Sequence, residues 1–267
     1  MNKDVIIGLF SNIKGHGPLV HHLTNNVTIN DCANATLAIG GSPVMATSIE
    51  EVADMVQLAD ALVINFGTID DQMYKAMVIA GQAANTKGIP VIFDPVGVGA
   101  TRFRTERASD FLNKVKVNII RGNATEVYAL IGGKAITRGV DAGELSISIE
   151  KLALEAADKL QAVTVISGET DVISNGISSV QIENGDIWLT RITGTGCMTT
   201  SLIACFAGIT DDWFSAAIAG MSVMSLAGEN AKNSIQANDG IGTYRSKLMD
   251  EIFLMNESVW EKGVRFK

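Results

Sequence analysis

Cysteine is scarce in this chain of 267 residues: Cys32, Cys197 and Cys205 are the only three, and none stand in a CxxC pair. This excludes a disulfide-knit secreted scaffold and leads us to expect a reducing, cytoplasmic setting. Basic residues are outnumbered, 21 against 29 acidic, for a formal net charge of −8. Such a balance disfavours nucleic acid or an anionic membrane surface as partner. It leaves open a small anionic ligand, which responds to local groups rather than to total charge. Histidine is equally sparse, limited to His16, His21 and His22. Neighbouring residues on a strand face opposite ways, so His21 and His22 would not share one metal, and with no HExxH pattern a catalytic zinc is not expected. There is no GxxxxGK[ST] phosphate loop, and Ser167 lacks a GxSxG elbow. No secretory leader is read at the N-terminus, where Lys3 and Asp4 precede a short apolar run ending at Gly8. The apolar stretches near 198–210 and 213–228 carry Ser, Thr and Gly and fall short of a membrane span; they read as helices buried all round. No linker, repeat or low-complexity tract divides the chain, and one domain over 1–267 is expected.

What the chain has in quantity is hydrophobic residue, 47% of the total. Short β-branched runs over 61–67, 89–95, 117–123 and 162–168 alternate with helical patterns over 50–58, 70–87, 104–115, 124–131 and 148–160. Continuous apolar strands with crossover helices predict an α/β fold whose mostly parallel sheet is covered on both faces. Residues 171–174 and 179–190 read instead as antiparallel strands around the Asn184-Gly185-Asp186 turn. After residue 196 the pattern is helical almost to the end.

Every central strand ends in polar or glycine residues: Asn65 and Gly67, Asp94, Arg121 and Asn123, Ser167 and Gly168. Ligands of open parallel sheets bind beyond the carboxyl ends of the strands, so these ends mark the expected site edge. Asp94, before Pro95-Val96-Gly97-Val98-Gly99, is either a Mg²⁺ ligand or the cap of its own turn. Arg121 either clamps a phosphate or makes a salt bridge. Asn123 and Glu126 have capping-box spacing, and Glu126 would at the same time stand near a metal and phosphates. The run Thr193-Gly194-Thr195-Gly196-Cys197 opens into an apolar helix. Gly194, Thr195 and Gly196 there are either a plain turn or an anion-binding nest of backbone N–H groups at a positive dipole end. Cys197 stands at the helix entrance, an address that lowers a thiol pKa. Cys205, inside the helix, reads as a small buried hydrophobe, and Met221 and Met224 read as core. Met45, in Ser42-Pro43-Val44-Met45-Ala46, reads as core from its own neighbourhood.

The stretches PLVHHLTNNVTINDCAN (18–34), AIGGSPVMA (38–46), ALVINFG (61–67), DPVGVGAT (94–101), IRGNATE (120–126), ISGETDVIS (166–174) and TGTGCM (193–198) resemble, in order and spacing, the hydroxyethylthiazole kinases of bacterial thiamine metabolism. The resemblance implies a ribokinase-like three-layer fold. It also implies phosphorylation of 5-(2-hydroxyethyl)-4-methylthiazole by ATP with Mg²⁺. On this resemblance Met45, Asn25 and the Gly194 backbone contact the thiazole, and Arg121 and Ser167 contact ATP. Asp94 and Glu126 organise Mg²⁺ and phosphates, Gly194 to Gly196 form the anion hole, and Cys197 receives or orients the hydroxyl proton. A homotrimer with sites between subunits is implied as well. His22 is a local departure, since related sequences often have Cys beside the shared His21; Ser167 stands where some carry Thr. Most ribokinase-like enzymes place Asp at the position of Cys197. That separates this pattern from a hydroxymethylpyrimidine kinase or a nicotinamide-hydrate dehydratase. A non-catalytic nucleotide- or thiazole-binding sensor would be expected to lack the phosphate-site residues, and all of them are present.

Overall fold

The β-branched runs form strands and the alternating segments cross over between them. The computed structural model describes residues 2–133 and 147–267. In chain order the elements are α1 (Lys3–His16), β1 (Leu19–Leu23), α2 (Ile29–Ile39), β2 (Ser42–Val44), α3 (Val52–Leu58), β3 (Ala61–Asn65), α4 (Asp71–Lys87), β4 (Val91–Asp94), α5 (Arg102–Lys114), β5 (Ile119–Asn123) and α6 (Ala124–Leu130). They continue with α7 (Ile149–Leu160), β6 (Val163–Ser167), β7 (Asp171–Ser174), β8 (Ser179–Ile182), α8 (Thr195–Ala207), α9 (Trp213–Asn233), α10 (Ile241–Leu254) and α11 (Glu257–Gly263).

One sheet holds all of these strands in the order β2-β1-β3-β4-β5-β6-β7-β8. Pairing is parallel from β2 to β6 and antiparallel for β7 and β8. The central strands β3 and β4 are buried along their whole length, as strands covered on both faces must be. One face carries α1, α2 and α8 to α11, whose apolar side chains pack with Val20, Val63, Ile92 and Val165. The opposite face carries α3, α4 and α5, packed on Leu62, Ile64, Phe93 and Ile120 through Phe66 and Phe111. The result is the three-layer α/β fold expected. Helix α8 is buried at every position from Met198 to Ala207, and α9 from Ser215 to Gly228. Neither they nor any other described helix is long and apolar enough to cross a membrane.

The antiparallel segment departs from the sequence expectation. The hairpin turn lies at Asn175-Gly176, where Asn175 Oδ1 accepts from the Ile177 and Ser178 N–H groups at 3.0 and 2.8 Å. The Asn184-Gly185-Asp186 run is no hairpin turn. Asn184 instead ties the C-terminal segment, accepting from Arg265 N at 2.7 Å and donating to the Gly263 carbonyl at 3.0 Å. Asp186 then caps a 3-10 helix, Ile187–Arg191, by accepting from Trp188 N at 2.8 Å. The second half of the expected strand is therefore helical. A 3-10 turn lets Leu189 pack on α9, where a Cβ at Gly228 would meet its methyl carbon at 2.7 Å.

Candidate active site

Parallel strands place their last residues side by side, and the pairings Asn65↔Asp94 and Asn123↔Ser167 do so here. The start of α8 rises over that edge. Its N-cap is Gly194, at φ +90°, where a side chain would be strained and its Cβ would fall 2.6 Å from Thr28 Cγ2. No side chain caps this helix, so the N–H groups of Thr195, Gly196 and Cys197 face the site without a side-chain acceptor.

Arg121 leaves β5 and crosses this helix start. Its Nη2 donates to Ser167 Oγ at 2.7 Å, and its Nη1 stands 4.0 Å from Asp94 Oδ2. It passes so near Gly196 that a Cβ there would sit 2.3 Å from Nη1. Arg121, Ser167, Thr195 and Gly196 line a cavity of about 880 Å³ together with Asp171, Met221, Met224 and Ser225. The two methionines are buried, as expected, but they also form the apolar side of this cavity.

Asp94 is fully buried. Its Oδ2 accepts from Asn65 Nδ2 at 2.8 Å and from Thr200 Oγ1 at 2.9 Å, while Oδ1 has no hydrogen-bond partner. Burial pushes its pKa up to about 6, against the nearby Arg121 charge, with Glu126 adding to the rise. A buried carboxylate oxygen with no partner is costly unless a cation or donor meets it. Glu126 differs. It completes the capping box of α6 with Asn123, at 2.9 Å in both directions, and its Oε1 also accepts from Gly97 N at 2.8 Å.

On the other side of Cys197 stands Asn25. Its Nδ2 donates to Asn65 Oδ1 at 3.0 Å and toward Cys197 Sγ at 3.3 Å. Asn65 Nδ2 also reaches Cys197 Sγ at 3.3 Å. The thiol corrects an expectation. Burial and the charge of Asp94 hold the Cys197 pKa above its ordinary value, although the amide and hydroxyl neighbours pull the other way. The helix entrance does not outweigh desolvation. Cys205 is buried as expected. Met45 is half-buried rather than core and lies outside the large cavity. Its segment is held by His21, whose Nε2 donates to the Ala46 carbonyl at 2.7 Å. His22 points to the opposite face of β1, where its Nε2 meets Ser201 Oγ at 3.1 Å. Burial pushes the pKa of His22 down to about 4, so it is neutral.

The site thus gathers Asn25, Asp94, Arg121, Ser167, Gly194, Thr195, Gly196 and Cys197 around one helix start, with Glu126 near enough to act on Asp94 by charge. It also includes Asn65 and Thr200, both hydrogen-bonded to Asp94, which the sequence does not single out. Asn65 reads there only as a strand end, and Thr200 only as part of an apolar helix; its place one turn after Gly196 is the signal that could find it.

The chain as a whole is similar to known proteins. The model of the hydroxyethylthiazole kinase family matches residues 10–258. The hydroxyethylthiazole kinase of Ruminiclostridium cellulolyticum is 44% identical over 97% of this chain and 96% of its own. That of Exiguobacterium sibiricum is 47% identical over 90% and 92%. The solved structure of the hydroxyethylthiazole kinase protein from Pyrococcus horikoshii superposes with a TM-score of 0.89 at 36% identity, covering 99% of this chain and 98% of that one. An ADP/ATP-dependent NAD(P)H-hydrate dehydratase from Bacillus subtilis, crystallised with ATP and Mg²⁺, shares the fold at a TM-score of 0.64 and 17% identity. With nearly its whole length matched, the chain belongs to the hydroxyethylthiazole kinase family.

Proposed function

We propose that this chain transfers the terminal phosphoryl group of ATP to the hydroxyl of 5-(2-hydroxyethyl)-4-methylthiazole, giving the thiazole phosphate used to make thiamine diphosphate. The observation that carries the reading is the position of Cys197. On one side it follows Gly196 in an uncapped helix start that the Arg121 guanidinium crosses, the equipment for a phosphoryl group. On the other it adjoins Asn25, which follows β1, and β1 in turn holds the Met45 segment through His21; we assign the acceptor to this side.

In this reading Arg121 and Ser167 bind the nucleotide in the large cavity, and the N–H groups of Gly194 to Gly196 stabilise the transferring group. A loose transition state asks mainly for such positioning and charge. Asn25, Met45 and the Gly194 backbone hold the thiazole. Cys197, kept protonated at neutral pH, orients the acceptor hydroxyl, whose proton leaves late. The unpartnered Oδ1 of Asp94 fits a Mg²⁺ ion carried by the phosphates. Such an ion is held by one or two carboxylates plus phosphate oxygens, which suits described residues that hold no group of three or more His, Cys, Asp or Glu able to bind a metal alone. It would supply charge neutralisation at the phosphates. Glu126, with both oxygens engaged, supports it through Gly97 and the α6 start.

The single sheet supports one kinase domain over 1–267, and the scarcity of cysteine supports a cytoplasmic setting. We further propose a homotrimer whose contacts complete the acceptor side. Val27 beside Asn25 is 64% exposed and Leu37 is 57% exposed, and Met45 follows the edge strand β2. Sedimentation velocity reads that state. The test of the activity is Mg²⁺-dependent ADP release. It should require the thiazole alcohol and vanish with the 5-ethyl analogue, which has no acceptor oxygen. Equal turnover with the ethyl compound would remove the kinase reading.

A further inference from the structure

The phosphoryl side and the acceptor side of the site are built on different elements, and one side chain touches both. Asn65 ends β3 and is 1% exposed. Its Oδ1 accepts from Gly67 N at 2.9 Å and from Asn25 Nδ2 at 3.0 Å. Its Nδ2 donates to Asp94 Oδ2 at 2.8 Å and toward Cys197 Sγ at 3.3 Å. The orientation of the amide is fixed, because the Gly67 N–H can only donate and so must face Oδ1. Asn25 is fixed the same way. Its Oδ1 takes the N–H groups of Val27 and Thr28 at 3.1 and 3.0 Å, which aims its Nδ2 at Asn65 and the sulfur.

We propose that Asn65 is the positioning residue that couples the two sides of the site. Its single amide sets the Cys197 thiol and the Asp94 carboxylate in register with each other, and so aligns the acceptor oxygen with the transferring phosphorus. This rests on the site reading above and adds to it a residue that touches neither substrate. Three features support it. The sulfur receives N–H donors from two amides at once, which fixes it in place rather than leaving it one rotamer among several. Asp94 takes both of its donors, Asn65 and Thr200, on Oδ2, so Asn65 also determines which oxygen stays open. Gly67 leaves the space that this network needs, since a Cβ there would lie 2.5 Å from Asn25 Cβ. The strand pairing Asn65↔Asp94 makes the frame rigid.

The test is steady-state kinetics of the full chain with both co-substrates, on Asn65→Ala and Asn65→Asp, each made also in a Cys197→Ala background, with thermal melts alongside. Misplacing a reacting group by about 1 Å costs about 10²-fold, so kcat should fall about 10–100-fold. Both KM values should stay within about 3-fold, because Asn65 contacts neither substrate. In the Cys197→Ala background the further loss should shrink at least about 3-fold, since residues acting as a unit are not additive. Asn65→Asp keeps the volume and the acceptor oxygen but sets a second carboxyl against Asp94 in place of the amide donors; measured at about pH 8–9, and with a pH profile that reads out any proton the pair shares, it should show the same pattern even where Asn65→Ala folds poorly. Wild-type kcat in the Asp variant, a rise in KM with kcat unchanged, or a fully multiplicative loss in the double variant would each overturn the coupling role. A Cys197→Ala enzyme with wild-type rates would overturn the site reading itself, and this inference with it.

Discussion

Replacing Gly196 by alanine should separate folding from catalysis. The new Cβ would lie 2.3 Å from Arg121 Nη1 and 3.0 Å from Cζ and Nη2. Carbon contacts with heavy atoms are comfortable near about 3.5 Å, so the guanidinium must retreat by about 1 Å. What it meets is the far end of a flexible side chain, and no backbone atom stands among the nearest contacts. The retreat breaks the 2.7 Å bond to Ser167. A charge-assisted bond is worth about 1.5–3 kcal/mol, and the low end applies to a half-buried pair. Against this, Ala gains up to about 1 kcal/mol over Gly in a helix. The net loss should be about 1 kcal/mol or less, which shifts Tm by only about 2–4 °C in a protein of this size. Catalysis has no such compensation. A guanidinium displaced by about 1 Å should lower kcat/KM for the nucleotide about 10²-fold. The assay is ADP release at varied ATP, with calorimetry alongside. Gly8→Ala is the control, because that helical glycine of α1 has nothing within 4 Å of its would-be Cβ. Wild-type kcat/KM in Gly196→Ala, or an unfolded protein, would refute the reasoning from opposite directions.

Two further predictions follow from the buried titratable groups. If Cys197 orients rather than deprotonates, Cys197→Ser should keep activity within about 10-fold while Cys197→Ala loses about 10²-fold, and wild-type kcat should stay level between about pH 7 and 9. A raised thiol pKa makes the opposite role visible, because a thiolate base would give a kcat that climbs through that range and a Ser variant as slow as Ala. Asp171 accepts from Ser225 Oγ at 2.6 Å and Gly168 N at 3.1 Å, and burial pushes its pKa from 3.8 up to about 6. Between about pH 4 and 6 the folded state therefore holds a proton that the unfolded chain has released. Stability from this group is full below about pH 4 and is lost as pH rises through about 6. Asp171→Asn should accordingly raise stability at pH 7–8 by on the order of 2 kcal/mol, with the gain fading by pH 4; a gain independent of pH in thermal melts would contradict this origin.

The parallel half of the fold was legible because burial on both faces leaves no room for polar residues until a strand ends. Val63-Ile64-Asn65 and Ile92-Phe93-Asp94 therefore announce both the strand and its edge. The antiparallel half was less so, since the chain contains Asn-Gly twice. Local chemistry gives Asn175-Gly176 and Asn184-Gly185 equal claim to the hairpin. The choice is made by Arg265 and Gly263, some eighty residues away, which engage Asn184.

The site shows the same division between local and distant causes. Arg121, Ser167 and the Gly194 to Gly196 nest could be read from strand ends and a glycine-rich helix start, because each acts through its own segment. The pKa of Cys197 could not. Its address predicts a depressed value, and the raised one comes from burial beside Asp94, a residue of another strand. Asn65 is the extreme case, since its neighbours Asn25, Asp94 and Cys197 come from three other segments. No spacing in the sequence links them. Such a residue becomes visible only when its hydrogen bonds are counted. An amide that spends both of its donors and both of its acceptor positions inside a site leaves nothing for a substrate, and its contribution must then pass through the groups it holds.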